Sequence, residues 1–229
     1  MPDAGSATGG APLCDLVVPC RDEAASLVDL LPRVPPQFRV VVADNGSTDG
    51  TADVARRLGA VVVREPVPGY GSAVHAGVTA ATAEYLAVMD GDGSTDPADL
   101  LPLLDDVREG RADLAVGRRV PVGRGVWPWH ARAGNALVVA WLRRRHGFPV
   151  RDIAPVRVCR RKALLALGVA DRRFGYPVEL MQRATLAGWR ITERDVPYHP
   201  RAAGTRSKVS GSVRGTLRTA RDFTRVLSR

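Results

Sequence analysis

The sequence predicts an α/β protein with a mostly parallel central sheet that helices cover on both faces. Short runs rich in valine and leucine alternate with amphipathic segments through the first half of the chain. These runs are apolar almost throughout, which is typical of parallel strands buried on both faces. Acidic and polar residues directly follow several of the runs, and ligands of such sheets bind where the parallel strands end.

The first half of the chain is expected to alternate between strand and helix. Strands are assigned where β-branched residues are concentrated, and helices where apolar residues recur every three or four positions. The expected strands are 13–19, 38–43, 60–63, 85–89 and 112–116, and the helices between them are 22–31, 49–58, 72–82 and 97–108.

The second half is less regular, and we expect it to belong to the same single domain because no linker or internal repeat interrupts it. Residues 121–129 are predicted to form a loop rich in glycine, proline and tryptophan. Residues 131–145 are expected to be helical, with a buried stripe of Ala136, Leu137, Ala140 and Trp141. The remaining expected elements are helices 161–167 and 178–187, a strand 189–196, a loop 202–211 and a basic helix 212–227.

The composition is that of a soluble globular protein, with 229 residues, 45% apolar and 25% charged. No run of about 18 apolar residues occurs, so we expect no membrane-spanning helix. Residues 1–11 have none of the features of a signal peptide and are expected to form a flexible leader. Cys14, Cys20 and Cys159 are expected to be reduced, buried thiols in a cytoplasmic protein.

The net charge of +9 favours anionic partners, namely nucleotide phosphates, a lipid phosphate, an anionic membrane surface or nucleic acid. Lysine and arginine are concentrated in 118–145 and 201–229, whereas 90–106 is acidic. The basic segments lack the interleaved aromatic residues of a single-strand groove, so we expect no nucleic-acid partner. Residues 143–145 are predicted to be a solvated helix face.

The most informative feature is Asp90-Gly91-Asp92, which follows the fourth expected strand. Because a buried lone carboxylate is costly, two carboxylates one residue apart at a strand end are expected to hold a cation. Such oxygen ligands suit Mg²⁺ or Mn²⁺, which in turn bind phosphate oxygens. The tripeptide by itself is more often a polar turn. Together with the rest of the chain, it predicts a metal site for a nucleotide diphosphate.

Two other strand ends carry candidate nucleotide ligands. Glu23 follows the first strand, where it can accept a hydrogen bond from a base or ribose, and Asp22 alternatively caps the next helix. Asp44 ends the second strand, where it can bind the N–H edge of uracil or guanine. The residues after Asp44 are assigned mainly to helix capping, and these are Ser47, Thr48 and Asp49.

The segment 68–74, which contains Gly71 and Ser72, is rich in glycine but is not a dinucleotide fingerprint. Val74 stands where the third glycine belongs, and the segment does not follow the first strand. No phosphate-binding loop of the GxxxxGK[ST] type occurs either. These absences argue against dehydrogenases and P-loop enzymes.

Four segments follow one another along the chain, and they are VVPCRDEAASL, VADNGSTDGTADVA, GYGSAVHAG and MDGDGSTDP. In this order and spacing they resemble the donor half of family 2 glycosyltransferases of the GT-A fold. The similarity is closest to the dolichyl- and polyprenyl-phosphate sugar synthases. It covers roughly residues 13–210. The resemblance implies one GT-A domain over 12–229, in which 12–117 bind the nucleotide sugar and 118–229 form the acceptor half.

The resemblance implies a role for individual residues of the donor site. Asp90 and Asp92 match the DXD metal site, and Gly91 permits close backbone approach. Ser94 stands where many of these synthases have a glutamine metal ligand. The nucleotide-binding positions that match the family are Pro19, Glu23, Asp44, Gly71 and Ser72, whereas Cys20-Arg21 replaces the usual aromatic residue.

Phosphate binding is also implied by the resemblance. Gly117-Arg118 resembles the family's Gly-Ser-Arg stretch, and Arg132 falls where a second phosphate-binding arginine is expected. Arg201 and Ser207-Lys208 resemble a late segment that closes over the phosphates.

The implied reaction is an inverting transfer of a sugar from a UDP- or GDP-sugar. The metal and basic side chains, including Arg132 and Lys208, would neutralise the departing diphosphate. A polyprenyl phosphate acceptor attacks as an anion, whereas a small soluble hydroxyl compound needs a carboxylate base. Glu179 is the first candidate base and Asp152 the second, although Glu179 at a helix start also suits the helix dipole.

Alternatives remain at this point. A sugar-nucleotide pyrophosphorylase would need a glycine-rich loop after the first strand, and a non-enzymatic nucleic-acid binder would leave the acidic residues unexplained. The segment 213–229 is expected either to pack on the domain or to contact an anionic membrane peripherally, at its inner face. The base, the sugar, the acceptor and the oligomeric state stay open.

Overall fold

The structure is a computed structural model that describes residues 12–153 and 155–201. It contains a seven-stranded sheet in the order β3-β2-β1-β4-β6-β5-β7. The strands are β1 (Cys14–Cys20), β2 (Phe38–Asp44), β3 (Val61–Arg64), β4 (Tyr85–Val88), β5 (Leu114–Pro121), β6 (Val156–Arg160) and β7 (Ile191–Tyr198). The helices are α1 (Ala24–Leu30), α2 (Thr51–Arg57), α3 (Tyr70–Ala80), α4 (Leu100–Arg108), α5 (Trp129–His146), α6 (Arg161–Ala166) and α7 (Tyr176–Leu186).

The sheet is parallel except for one strand. β1 pairs in parallel with β2 and β4, and β3 pairs in parallel with β2. β6 runs antiparallel between β4 and β5, and β7 is parallel to β5. The carboxyl ends of the six parallel strands therefore meet at one edge of the sheet, and the antiparallel β6 begins there. This edge is where an open α/β sheet binds its ligands.

Helices cover both faces of the sheet, which explains why its strands are so uniformly apolar. Val17 of β1 belongs to a core cluster that includes residues of α3, α5 and α7. Its neighbours Leu16 and Val18 point to the opposite side and join a cluster that includes residues of α1 and α4. Successive strand residues alternate between faces, and here both faces are buried.

The predicted α/β architecture is confirmed, but β6 was missed. Its sequence, VRVCR, contains Arg157, which is buried beside Val88 of β4 in the centre of the sheet. A buried arginine in a short strand breaks the apolar pattern from which strands are predicted. The expected loop 202–211, the helix 212–227 and the leader 1–11 lie outside the described residues.

The predicted buried stripe of α5 is wrong except for Trp141, which is half-buried and packs against the core. The buried residues of α5 are Val139 and Leu142, while Ala136, Leu137 and Ala140 are exposed. Both sides of this helix carry apolar residues, so the sequence pattern does not identify the side that faces the sheet. The predicted solvated face at 143–145 is confirmed, and all three cysteines are free and buried as predicted. Within the described ranges, no helix is both long and apolar enough to cross a bilayer.

A buried carboxylate stabilises the start of β1. Asp15 is fully buried and accepts two hydrogen bonds from Arg39 of β2, at 2.7 and 2.9 Å. It also accepts from the backbone amides of Thr82 and Ala83, which precede β4. Asp15 thus connects three adjacent strands at the edge opposite the ligand-binding edge, and its charge is matched by a cation.

A second buried carboxylate connects α4 to the far edge of the sheet. Asp106 accepts hydrogen bonds from Arg194 of β7 at 2.5 and 2.7 Å, and from Arg111 at 2.7 Å. The hydrogen bond from Arg194 is the largest influence on Asp106 and outweighs the effect of burial. Together with Arg111, it lowers the pKa of Asp106 to about 2.

Acid should weaken the fold partly through Asp106. Its pKa is lower in the folded than in the unfolded chain, so its contribution to stability is complete above its ordinary pKa of 3.8 and is lost as the pH falls toward 2. We expect the free energy of unfolding of Asp106→Asn to fall less between pH 5 and pH 3 than that of the wild type, as measured by urea denaturation. Asp53→Asn, at an exposed pair with Arg56, is the control and should behave like the wild type. Identical pH slopes for Asp106→Asn and the wild type would contradict this assignment.

Candidate active site

The acidic pair lies at the ligand-binding edge, directly after β4. Asp90 is half-buried and Asp92 is buried, and Asp92 accepts a hydrogen bond from the amide of Ser94 at 3.0 Å. The backbone between the two carboxylates is packed against β1. A Cβ on Gly91 would lie 2.8 Å from Cys20 Sγ and 3.0 Å from Val18 Cγ1, so only glycine fits there without a shift. Ser94, two residues after Asp92, is also buried.

Asp90 and Asp92 repel each other in a site of low polarity. Burial, followed by the charge of Asp92, raises the pKa of Asp90 to about 6. Three arginines oppose this shift, and they are Arg201, Arg157 and Arg119. The hydroxyl of Tyr70 donates a hydrogen bond to Asp90. Two carboxylates in this situation favour a bound cation between them.

Arg201 supplies a positive charge to this pair. Its Nε lies 2.6 Å from Asp92 Oδ2, and its guanidinium also hydrogen-bonds to Tyr198. The carboxylate oxygens of the acidic pair are the kind of ligand that a divalent metal takes, and Arg201 is paired with one of them in this structure. In the described part of the chain, no group of three or more histidine, cysteine, aspartate or glutamate residues is arranged to hold a metal. A metal at Asp90 and Asp92 would thus take its other ligands from elsewhere, as Mg²⁺ commonly does from phosphates and water.

Hydrogen bonds made by side chains connect the loops that follow β1 and β2. Asp49 accepts from the amide of Ala24, the first residue of α1, and from that of Thr51, the first residue of α2. The amide of Glu23 donates to Thr51 Oγ1 at 2.9 Å. Asp22, in the left-handed conformation with φ of 53°, is joined to Ser47 and Thr48. The predicted capping role is thus confirmed for Asp49 and extends to α1, which it holds against the neighbouring loop.

These caps place the predicted nucleotide residues side by side. Pro19 and Asp44 are in neighbouring strands, and Cys20 is paired with Asp44 in the register. Asp44 is buried and accepts from the amide of Ser47 at 2.9 Å. Arg21 is exposed, and Glu23 is half-buried and accepts a hydrogen bond from Ser26.

Gly71 and Ser72 serve a packing role in this structure. The amide of Gly71 donates to the Arg173 carbonyl, and the amide and hydroxyl of Ser72 both donate to the Arg172 carbonyl. A Cβ on Gly71 would lie 2.7 Å from the Arg172 carbonyl carbon. The start of α3 is therefore held against the loop before α7. Asn45 supports the same region, because its side chain forms hydrogen bonds with the backbone of three residues, Glu65, Val67 and Gly69.

Adjacent arginines at the end of β5 point to opposite sides. Arg118 forms a bidentate pair with the exposed Asp195 of β7, with both distances 2.6 Å. Arg119 forms a bidentate pair with the buried Asp152, at 2.7 and 2.9 Å, and its charge acts on Asp90. The structure therefore brings Arg119, rather than Arg118, toward the acidic pair. The sequence does contain a signal for this, since consecutive strand residues must face opposite sides.

Aromatic rings hold Arg119 in place. Its guanidinium carbon lies 4.1 Å from the centroid of Trp127 and 5.7 Å from that of Tyr198. The two rings meet edge to face, with centroids 6.1 Å apart. Tyr198 also forms a hydrogen bond with Arg201, so two of the three cations that act on Asp90 share one aromatic neighbour. This arrangement of Arg119, Trp127 and Tyr198 was not foreseen from the sequence.

An open cleft of about 430 Å³ lies beside this cluster. Trp127 forms one of its walls and Arg132, in the first turn of α5, another. Its other lining residues are Pro121, at the end of β5, and three residues of the loop that follows, Gly123, Arg124 and Gly125. The cleft is thus bordered by two arginines, Arg124 and Arg132.

Both carboxylates that the sequence offers as bases are engaged in structural contacts. Glu179 accepts from the amides of Ala170 and Asp171 and from Arg183. Burial alone would raise the pKa of Glu179, but these hydrogen bonds outweigh it and lower the pKa. Asp152 accepts from the side chain and the amide of Arg119. Ser207 and Lys208, the other predicted phosphate ligands, lie outside the described residues.

Comparison with known proteins agrees with this geometry. The family model described as "Glycosyl transferase family 2" matches residues 15–163. This chain belongs to glycosyltransferase family 2. The predicted family and enzyme class are confirmed, and the pyrophosphorylase and nucleic-acid-binding alternatives are set aside.

Relatives extend the similarity over most of the chain. An uncharacterized glycosyltransferase of Mycobacterium tuberculosis (strain H37Rv) is 56% identical over 214 residues, which are 93% of this chain and 97% of that protein. The polyprenol monophosphomannose synthase of Mycolicibacterium smegmatis is 32% identical over 216 residues, covering 86% of this chain and 81% of the synthase.

Solved structures confirm the predicted GT-A fold. The glucosyl-3-phosphoglycerate synthase of Mycobacterium tuberculosis, in complex with Mn²⁺, UDP and glucosyl-3-phosphoglycerate, superposes with a TM-score of 0.72. The match covers 95% of this chain and 79% of the synthase at 20% sequence identity.

The packing of Gly91 can be tested against another glycine. Gly91→Ala should displace the acidic pair, because the added Cβ meets Cys20 and Val18, and we expect the free energy of unfolding to fall by about 1–3 kcal/mol. Gly134→Ala, where a Cβ in α5 meets nothing within 4 Å, should instead raise it by about 0.5–1 kcal/mol. Chemical denaturation of both variants measures the difference. Equal effects of the two substitutions would show that the close packing at Gly91 is unimportant.

Proposed function

We propose that the protein is an inverting glycosyltransferase that moves a sugar from a nucleotide diphosphate sugar to a lipid-linked phosphate of the polyprenyl type. The observation that carries this proposal is the acidic pair Asp90 and Asp92 at the carboxyl end of β4, with Arg119 and Arg201 beside it. Paired carboxylates next to arginine side chains suit a metal-bound diphosphate and few other ligands.

The donor is proposed to lie along the ends of β1, β2 and β4. Asp44 would bind the base, and either uridine or guanosine is compatible with a buried carboxylate that accepts an N–H. Pro19, Arg21 and Glu23 would line the same pocket. The solved relative that contains UDP has the same fold, which supports a nucleotide at this edge.

Mg²⁺ or Mn²⁺ would be held by Asp90 and Asp92, with Ser94 as an additional ligand. When bound, the metal would neutralise the diphosphate and make it a better leaving group. A crystal of the glucosyl-3-phosphoglycerate synthase that contains Mn²⁺ and UDP-glucose supports this choice of metal.

The basic residues of this chain would stabilise the charge that grows on the departing diphosphate. Arg119 is held by Asp152 and Trp127, so it is oriented before the ligand arrives and loses little freedom on binding. Arg201 would move from Asp92 to the phosphates once a metal replaces it. Arg132 would bind the acceptor phosphate from the adjoining cleft. The roles inferred for Ser207 and Lys208 remain part of the proposal.

An anionic acceptor explains why the site needs no free carboxylate base. A phosphate oxygen attacks the anomeric carbon directly from the face opposite the diphosphate, which inverts the configuration. Glu179 and Asp152 each accept several hydrogen bonds and are poorly placed to take a proton. The relatives that act on lipid phosphates support this acceptor, among them an undecaprenyl-phosphate mannosyltransferase that is 33% identical over 217 residues.

A small soluble hydroxyl acceptor is the second candidate. The solved relatives of this fold include a complex with UDP-glucose and phosphoglyceric acid. Such an acceptor would need a base, and Glu179 or Asp152 would then have to exchange its present contacts for the hydroxyl proton.

The metal role of Asp92 is tested by Asp92→Ala. Mn²⁺ with a UDP- or GDP-sugar should raise the melting temperature of the wild type, because a ligand that binds the folded state stabilises it. The variant should lose this response and at least a few hundredfold in turnover, equivalent to about 3–4 kcal/mol of barrier. Asp105→Ala, at an exposed pair with Arg108, is the control and should retain both. A variant that keeps the wild-type rate in excess chelator would exclude the assignment.

Arg119 and Arg118 can be distinguished by matched substitutions. Arg119→Gln should lower kcat about a hundredfold or more with a smaller change in KM, because it removes charge that matters most in the transition state. Arg118→Gln breaks an exposed pair with Asp195 and should change kcat only a few-fold. Steady-state kinetics with the UDP- or GDP-sugar that raises the melting temperature of the wild type measure both. A larger loss for Arg118→Gln would return the phosphate role to that residue.

A further inference from the structure

A long basic segment surrounds the acceptor cleft. Residues 114–151 contain eight arginines and no aspartate or glutamate. The segment comprises β5, the loop that lines the cleft, and α5. Its first two arginines are paired with Asp195 and Asp152, which come from outside the segment. The acid-free sequence therefore gives the surface after β5 a positive charge that is not balanced locally.

The solvent-facing side of α5 is apolar along its centre. Trp129 and Leu137 are 80% and 72% exposed, the two largest values among the large hydrophobic side chains of the described residues. Ala133, Ala136 and Ala140 are exposed between and beyond them at helical spacing. Because these five residues follow the i, i+4, i+7 pattern, they form one stripe on the side opposite the buried Val139 and Leu142.

Arginines flank this stripe. Arg132 and Arg143 lie on one side of it, and Arg144 lies toward the other, and all three are exposed. The loop before α5 adds exposed Arg124, which lines the cleft together with Arg132. We call this surface, formed by the outward side of α5 and Arg124, the α5 face. A tryptophan and aliphatic side chains bordered by arginines are typical of helices that lie in a membrane interface.

Charge distinguishes between the occupants that this face can have. A second copy that met it across a two-fold axis would bring its own arginines against these arginines, which is unfavourable. The chain's own residues 202–229 contain seven lysines and arginines and a single aspartate, so they too are repelled. An anionic lipid surface offers negative charge for the arginines and an apolar layer for Trp129 and Leu137.

We propose that the α5 face rests on an anionic lipid bilayer. The face and the cleft share Arg132, so this orientation opens the cleft toward the lipid headgroups. A phosphate carried on a lipid then reaches the arginines of the cleft without leaving the membrane. This last consequence rests on the proposed function, whereas the contact of the α5 face with lipid is argued from its own charge and exposure.

Vesicle flotation of the full chain tests the contact. The wild type should float with phosphatidylcholine vesicles that contain about one third phosphatidylglycerol and remain unbound with pure phosphatidylcholine, because surface charge attracts the arginines. Binding should weaken as salt is raised. Trp129→Ser/Leu137→Ser should lower the fraction bound at least about tenfold, since both side chains are transferred from water to the interface. Arg143→Gln/Arg144→Gln should also lower binding to the anionic vesicles, because it removes two positive charges from the α5 face.

The matched control replaces exposed apolar residues elsewhere. Val28→Ser/Leu186→Ser removes side chains that are 52% and 67% exposed on α1 and α7, and should float like the wild type. Failure of the wild type to float, or unchanged flotation of Trp129→Ser/Leu137→Ser, would overturn the proposal. Salt-sensitive binding to DNA without flotation would also overturn the proposal and would indicate a nucleic-acid-binding surface.

The change in melting temperature with the donor distinguishes a failure of the lipid contact from a failure of the proposed function. Trp129→Ser/Leu137→Ser should keep the wild-type melting temperature and its rise with Mn²⁺ and nucleotide sugar, because neither residue lies in the donor site. A wild type that floats but shows no response to any nucleotide sugar would contradict the proposed function and leave the lipid contact standing.

Discussion

The mutual repulsion of Asp90 and Asp92 is the constraint on which the site depends. Two carboxylates are held close together at the end of a buried strand, where water cannot fully solvate them. The surrounding arginines reduce the cost but cannot remove it, as the raised pKa of Asp90 indicates. The chain thus keeps a site that is unfavourable until a strong cation arrives, and this is the electrostatic condition for holding a metal and a diphosphate together.

The fold holds these two mutually repelling carboxylates in place through close packing and hydrogen bonds. Gly91 lets the loop pack against β1, and the caps between the first two strand ends fix the neighbouring pocket. Arg119 is fixed by Asp152 on one side and by Trp127 on the other. The acidic loop and Arg119 are therefore oriented by packing and by a further charged group. A site that is already arranged spends little free energy on reorganisation when its ligand binds.

The sequence was most informative where local pattern and chemistry coincide. The strands of the first half are apolar because helices bury them on both sides, and Asp44, Asp90 and Asp92 interrupt the apolar pattern just where those strands end. The prediction failed where burial depends on distant partners. β6 contains Arg157, whose place in the sheet follows from neighbours far away in sequence, and the apolar stripe of α5 faces outward because Val139 and Leu142 satisfy the core.

The site itself was predictable in composition but not in pairing. The acidic pair and most of the nearby arginines are visible in the sequence. Which guanidinium meets which carboxylate depends on strand alternation and on loops that fold back, as the different partners of Arg118 and Arg119 demonstrate. The engagement of Glu179 by two backbone amides was likewise invisible, since it depends on the path of a loop rather than on a motif.

The reversed direction of β6 has a consequence for how such enzymes diversify. β5 leaves the sheet and β6 re-enters it at the same edge, so everything from 122 to 155 is one excursion that starts and finishes beside the chemistry. Insertions, deletions or exchanges within that excursion leave the register of every strand unchanged. Such changes alter the loop and the helix that line the cleft, while the strands at whose ends Asp44 and the acidic pair lie are kept.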